Sequence, residues 1–291
     1  MKNAHATQQT LFDEELLIPD RQVLDRLADR GIVLGTSGFS YEDWKGVFYP
    51  HRTRKADMLG YYAQYFPSTE LNFSYYSVPD PRTMHAMTEK APGMKFSLKA
   101  HGSLTHEQRL APDIVTRVGQ SAKALAQEES LSALLFQFPY SFKNSPENRE
   151  YLQRVLDPFL ADFNCVIEFR FKPWLTDEIF KLCERLGATL CSIDAPKLPG
   201  LIPEFVQPGK NFSYYRLHGR NKDMWFDGDN ESRYDYHYST SELEEIAKNV
   251  IYLWEQSELV YVLGNNHPRG EAISAMMELS YMLIERLTKM K

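Results

Sequence analysis

Charged and amide side chains recur at one kind of place in this sequence, the downstream end of short β-branched or aromatic runs. Glu70 and Asn72 lie in one run. Lys99 closes another, with His101 and His106 just beyond it, and Gln137 ends a third. Glu168-Phe169-Arg170, Asp194, Arg216-Leu217-His218 and Asn265-Asn266-His267 end four more, and the first run leads into Gly35-Thr36-Ser37-Gly38. Side chains two apart on a strand share a face, so Glu70 with Asn72, Glu168 with Arg170, and Arg216 with His218 point together. A buried charge must be paired or hydrogen-bonded. Any one of these residues reads equally well as part of a core ion pair. Convergence from most of the runs is better explained by a shared pocket.

Several chemistries suit these residue types. Lys99, Arg170, Arg216 and Arg220, with His218, would contact an anion, because guanidinium groups fork onto phosphate or carboxylate. Counting His218, these five against Glu70, Glu168 and Asp194 leave a positive surplus. Glu168 or Asp194 beside a cation stays ionised and can serve as a base, with His218, His106 or His267 as acid. Lys99, if desolvated, could form a Schiff base, although a salt-bridged lysine is the plainer reading. Asn265 and Asn266 read as amide donors or braces. Ser37 is a weak nucleophile candidate, because Gly-x-Ser-x-Gly is absent. A divalent metal on Glu168, Asp194 and His218, with His267 as a further ligand, is the alternative. Arg170 and Arg216 weaken it by neutralising the carboxylates without a metal.

The elements that must position these groups follow a rhythm. Apolar runs at 32–36, 69–76, 95–100, 133–138, 165–170, 188–194, 212–218 and 259–265 alternate with amphipathic stretches at 55–66, 81–90, 114–126, 147–160, 175–186, 241–254 and 271–287. Asp80 and Pro81 mark one helix start, and Ser241 with Glu244 fits a capping box. Eight strands with helical crossovers predict an α/β fold, a single (β/α)8 TIM-type barrel over residues 31–291, with 1–30 as an N-terminal extension. An open doubly wound sheet is the competing arrangement. Residues 195–211 hold four prolines and two glycines, so the sixth crossover should be irregular. Residues 219–239 carry Trp225, Phe226, Tyr234, Tyr236 and Tyr238 among basic residues, which suits a lid over a ligand. Trp44, Tyr41, Tyr75 and Tyr76 would extend that aromatic wall.

The motifs resemble those of the domain of unknown function 72 family, also called YecE-like. The match opens with Gly35-Thr36-Ser37-Gly38-Phe39-Ser40-Tyr41, Trp44-Lys45-Gly46 and Phe48-Tyr49-Pro50. It continues through Thr69-Glu70-Leu71-Asn72, Phe96-Ser97-Leu98-Lys99-Ala100, Leu104-Thr105-His106 and Leu135-Phe136-Gln137-Phe138-Pro139. Then come Glu168-Phe169-Arg170, Trp174, Asp194-Ala195-Pro196-Lys197, Tyr215 through Asn221, Tyr234-Asp235-Tyr236 and Asn265-Asn266-His267. The resemblance spans roughly residues 32–287. It implies a TIM-type barrel and, by the family's name, no particular chemistry. One departure is Gly264, where the family usually has Phe before Asn-Asn-His; a glycine there should open space beside the amides.

Composition narrows the classes. The chain has 291 residues, 43% hydrophobic and 25% charged, enough for a sizeable core. A net charge of −6 argues against a dedicated nucleic-acid binder, though not against a local basic cleft. Three cysteines without Cys-x-x-Cys read as buried filler in a reducing compartment. No run approaches a membrane span and no signal peptide is visible, so the cytoplasm is expected. The leading expectation is an enzyme using acid–base chemistry on an anionic, sugar- or nucleotide-like substrate. No cofactor is expected, and no membrane or particular protein partner is implied. Glu168, Asp194, His218 and Lys99 are its catalytic candidates. Arg170, Arg216, Glu70, Asn72, Gln137, Asn265, Asn266, His267, Ser37, Trp44, His106, Arg220, Trp225 and Tyr236 are its binding candidates. The alternatives are a metal-dependent phosphodiester hydrolase on nucleic acid and a non-catalytic ligand- or partner-binding barrel.

Overall fold

The computed structural model describes residues 16–229 and 231–290. Nine strand segments form one sheet in which every pairing is parallel: β1 Ile32–Ser37, β2 Ser68–Leu71, β3 Lys95–Lys99, β4 Leu131–Gln137, β5 Cys165–Glu168, β6 Thr189–Leu190, β7 Ser192–Asp194, β8 Ser213–Leu217 and β9 Val260–Gly264. Their side chains are almost all buried, as parallel strands covered on both faces require. The order is β6-β5-β4-β3-β2-β1-β9-β8-β7. Segments β6 and β7 are halves of the expected sixth strand. The first pairs with β5 and the second with β8, the change of partner falling at Cys191. The sheet thereby closes as a TIM-type (β/α)8 barrel, and the open-sheet alternative falls away.

The helices are α1 Arg21–Ala28, α2 Met58–Tyr62, α3 Pro81–Lys90, α4 Gly102–Thr105, α5 Pro112–Gln127, α6 Pro146–Leu160, α7 Asp177–Leu186, α8 Thr240–Ser257 and α9 Glu271–Lys289. Their starts follow local chemistry. Asp80 caps α3 by accepting from Thr83 N (2.7 Å), and Ser145 and Thr176 cap α6 and α7. The capping box lies two residues before the expected one: Ser239 pairs with Glu242, because Ser239-x-x-Glu242 fits the same pattern and Glu242 is further held by Tyr236 and Arg220. Residues 195–211 form no helix, only isolated bridges at Leu201 and Phe205, as their prolines predict. The expected helix at 55–66 is reduced to a 3-10 turn and α2. Of the expected extension, α1 packs on α9 and β1, while residues 1–15 lie outside the described residues.

The second strand stops at Leu71. Asn72 opens a 3-10 turn, Asn72–Tyr75, and so does not continue the Glu70 face as the alternation suggested. Cys165, Cys183 and Cys191 are buried and free. Gly264 also departs from expectation. Its open side meets Ala272 of α9, where an added Cβ would lie 3.2 Å from the alanine's, so it brings helix and strand together and does not enlarge the pocket. Gly35 is tighter still. A Cβ there would lie 2.2 Å from Ser68 O, inside the β1–β2 ladder. Gly35→Ala should cost at least about 2 kcal/mol by forcing the strands apart, read as a lower urea midpoint; an unchanged midpoint would contradict this packing.

Candidate active site

Arg216 joins four strands inside the barrel. From β8 its Nη1 donates to Glu168 Oε2 on β5, and its Nη2 donates to Glu70 Oε1 on β2, both at 2.6 Å. Nη2 also lies 3.4 Å from Ser37 Oγ on β1. Tyr214 OH donates to the second Glu70 oxygen at 3.0 Å. All five residues are buried. Cross-barrel contacts of this kind place Ser37, Glu70, Glu168, Tyr214 and Arg216 on the inward faces.

Above this cluster Glu168 Oε1 faces Arg170 Nε at 2.5 Å and His218 Nε2 at 3.2 Å, neither aligned as a hydrogen bond. Burial pushes the Glu168 carboxyl up, but the charges of Arg170 and Arg216 outweigh it and hold the group well below the usual carboxylate range. Glu168 is an anion locked in place, not a titrating base. His218 is fully buried, and its ring is neutral. Desolvation and the nearby Arg170 charge take its pKa down to about 3, against the pull of Glu168. Asn265 Nδ2 donates to His218 Nδ1 (3.0 Å), so the neutral ring carries its proton on Nε2, toward Glu168.

Lys99, at the end of β3, has no carboxylate within ion-pair distance among the described residues. Its Nζ lies 4.9 Å from the centre of the Tyr75 ring. Desolvation and the Arg216 charge lower its pKa. His106 stacks edge-on to Tyr75 at 4.8 Å and is pushed down to about 4 by burial, Lys99 and Arg170. Arg170 spends only Nε on Glu168, and among the described residues no hydrogen bond engages its terminal amino groups. Its guanidinium carbon lies 5.4 Å from the centre of Trp225, a cation–π distance. Gln137 is buried beside Glu168 by register.

The segment 219–239 covers this end of the barrel. Trp225 and Tyr234 bring their rings to 6.4 and 6.0 Å from His218, and Tyr234 lies 6.0 Å from His267. Tyr234 is chemically distinctive. Burial pushes its hydroxyl up, yet the charges of Arg170, Lys99 and Arg216 prevail and lower its pKa. His267 stacks on Tyr41 at 4.4 Å and is depressed to about 4 by burial.

Other expected site residues lie elsewhere. Asp194 is bound by Arg220, whose Nη2 and Nε donate at 2.6 and 2.9 Å, and by Tyr238 OH at 2.7 Å. Its register partner is Leu217, the neighbour of inward-facing Arg216, so Asp194 faces outward toward α8. Burial nonetheless pushes its carboxyl up. Asp194 and Arg220 therefore brace the covering segment and do not join Glu168. Tyr236 donates to Glu242, and Asn266 Nδ2 donates to Tyr236 O. Trp44 is buried, its Nε1 donating to His267 O, and Asn72 Nδ2 donates to Ser37 O. These four shape the rim from behind. With Asp194 turned outward, the proposed metal set of Glu168, Asp194 and His218 is not assembled, and no group of three His, Cys, Asp or Glu among the described residues is placed to hold a metal. Tyr234 was the residue missed among the site candidates, although it stands in the Tyr234-Asp235-Tyr236 motif. Asp235, tied by two bonds to Arg269, anchors it.

Fold and mouth together define a (β/α)8 barrel with a cationic, aromatic-covered centre at the strand C-termini, where such barrels carry their sites. The chain belongs to the family described as "Protein of unknown function DUF72", whose model matches residues 33–290. It is 29% identical to the UPF0759 protein YunF of Bacillus subtilis over 83% of this chain and 90% of that one. A DUF72 family protein from Thermotoga maritima superposes with a TM-score of 0.80 at 35% identity, covering 87% of this chain and 99% of the other. One from Enterococcus faecalis gives 0.76 at 25% identity, over 87% and 95%. No helix among the described residues is long and apolar enough to cross a membrane.

Proposed function

We propose that the barrel mouth is the active site of an enzyme that performs acid–base chemistry on a small anionic substrate carrying a sugar-like or base-like ring. One observation carries the reading: among the described residues Lys99 has no carboxylate within ion-pair distance, and Arg170 meets Glu168 only through Nε. Lys99, Arg170 and Arg216 against Glu70 and Glu168 leave one positive charge over at this end of the barrel. The lowered Tyr234 hydroxyl is a second sign of the same field. Trp225, Tyr234 and Tyr75 supply ring faces for a planar or sugar substrate. Neutral His218 with its Nε2 proton and Tyr234 are the candidate proton carriers. Glu168 keeps Arg170 and His218 in position.

The test compares inorganic phosphate, sugar phosphates and nucleoside monophosphates with their uncharged counterparts by thermal shift and calorimetry. The anionic compounds should stabilise the protein and the uncharged ones should not. Arg170→Gln should weaken anion binding about 10-fold or more. Equal response to charged and uncharged compounds would remove the basis for the reading. Binding without turnover across a substrate panel would favour the non-catalytic barrel.

A further inference from the structure

We infer that Lys99 is a covalent catalyst, its Nζ condensing with an aldehyde or ketone carbon of the anionic substrate held by Arg170. This rests on the anionic-substrate reading above and adds to it the electrophile that the substrate must carry. A lysine at the end of a barrel strand ordinarily meets a carboxylate or reaches water. Here both interior carboxylates are taken up: Glu70 by Arg216 and Tyr214, Glu168 by Arg216 and Arg170. What remains beside Nζ is the face of Tyr75.

Burial and the Arg216 charge lower the pKa of this amine against the pull of Glu70, Tyr234 and Glu168, so its neutral form is more available than that of an exposed lysine. The side chain is nevertheless partly exposed, so a substrate can reach it. Lys99 and His106 flank the Tyr75 ring, and Arg170 and Tyr234 flank the Trp225 ring. The charges of Lys99 and Arg170 also act on both Tyr234 and His106, and we assign the proton transfers to Tyr234 on these grounds.

The step balances without a cofactor. The Nζ lone pair forms the C–N bond as the carbonyl π pair moves to oxygen, which takes a proton from the Tyr234 hydroxyl. Nitrogen gives a proton back to the tyrosinate. The carbinolamine C–O bond then breaks as the oxygen takes the Tyr234 hydroxyl proton a second time and leaves as water, with tyrosinate left beside the new cation. The product is an iminium on Lys99, an electron sink that would allow cleavage or proton exchange at the adjacent carbon.

The experiment uses two probes on the intact protein at pH 7.5, pyridoxal 5′-phosphate (an anionic aldehyde) and glycolaldehyde (a neutral one). Each is followed by cyanoborohydride reduction and peptide mapping. Lys99 should be labelled about 10-fold or more faster than exposed lysines such as Lys172 and Lys289. Tyr234→Phe should slow the labelling of Lys99 alone, and Lys99→Arg should abolish the site without unfolding the protein. Inorganic phosphate should protect Lys99 from the anionic probe. Arg170→Gln should remove that protection and slow labelling by the anionic probe more than labelling by glycolaldehyde.

If Lys99 reacts no faster than Lys172 and Lys289 with either probe, the covalent role is overturned, whether or not phosphate binds. If Lys99 is labelled selectively but phosphate neither binds nor protects, the covalent role stands and the anionic-substrate reading fails.

Discussion

Replacing Arg216 with methionine should destabilise the fold by about 3–5 kcal/mol, the cost of leaving buried charges without their partner. Among the described residues Arg216 is the ion-pair partner of Glu70 and shares Glu168 with Arg170, and both carboxylates are fully buried. Methionine fills similar volume, so lost packing contributes little and the electrostatic loss dominates. In urea the midpoint should fall with an unchanged slope. The variant Glu70→Gln/Glu168→Gln/Arg216→Met should recover part of the loss, because neutral groups no longer face a missing cation. A single-variant loss below about 1 kcal/mol would show that water or a shifted Arg170 compensates, contrary to the burial seen here.

Acid should weaken the folded state earlier than carboxylate titration alone would bring about. His218, His106 and His267 are held neutral by burial, with pKa values of about 3, 4 and 4. In the unfolded chain each titrates near 6.5, so from there down to about 4 the unfolded state binds more protons. Stability is therefore full above about pH 6.5 and is lost as pH falls. For His218, which is fully buried, the loss by pH 4 is about 3 kcal/mol. Below the ordinary glutamate range, near 4.5, Glu168 adds a loss of the same sign, because its folded pKa is depressed. Asp194, whose pKa is raised, works in the opposite direction and softens the slope. Denaturation in urea from pH 7 to pH 4 measures the whole effect, and His218→Asn should flatten the curve. A flat wild-type profile would mean that these rings are protonated in the folded protein.

The fold was legible because each apolar run is short, β-branched and followed by a helix-length stretch, and that rhythm leaves few arrangements. The interior cluster was legible in the same way, since Glu70, Glu168, Arg170, Arg216 and His218 stand at strand ends where apolar residues would otherwise pack. Which way Asp194 points was not. Its side depends on the pairing of Asp194 with Leu217, and register between β7 and β8 is a tertiary property that no spacing within either strand reports. That Tyr234 meets the centre while Tyr236 lies behind the rim was not legible for a related reason. They lie in an irregular segment without a period, and only the contacts with Arg269, Asn266 and Glu242 decide which ring meets the centre. The salt bridge that was the plainer expectation for Lys99 does not form. A carboxylate was available on paper, but Arg216 engages both interior ones.

The split of the sixth strand at Cys191 makes the seam between β5 and β8 the one place where the ring is joined by two short segments, Thr189–Leu190 and Ser192–Asp194. The Arg216–Glu168 pair spans that seam from one side to the other, and the Arg216–Glu70 pair runs from it across the lumen to β2. These bonds act as spokes, tying the two sides of the seam to each other and to the opposite wall. The charges inside the barrel thus have a mechanical duty, bracing the ring where its backbone ladder is shortest.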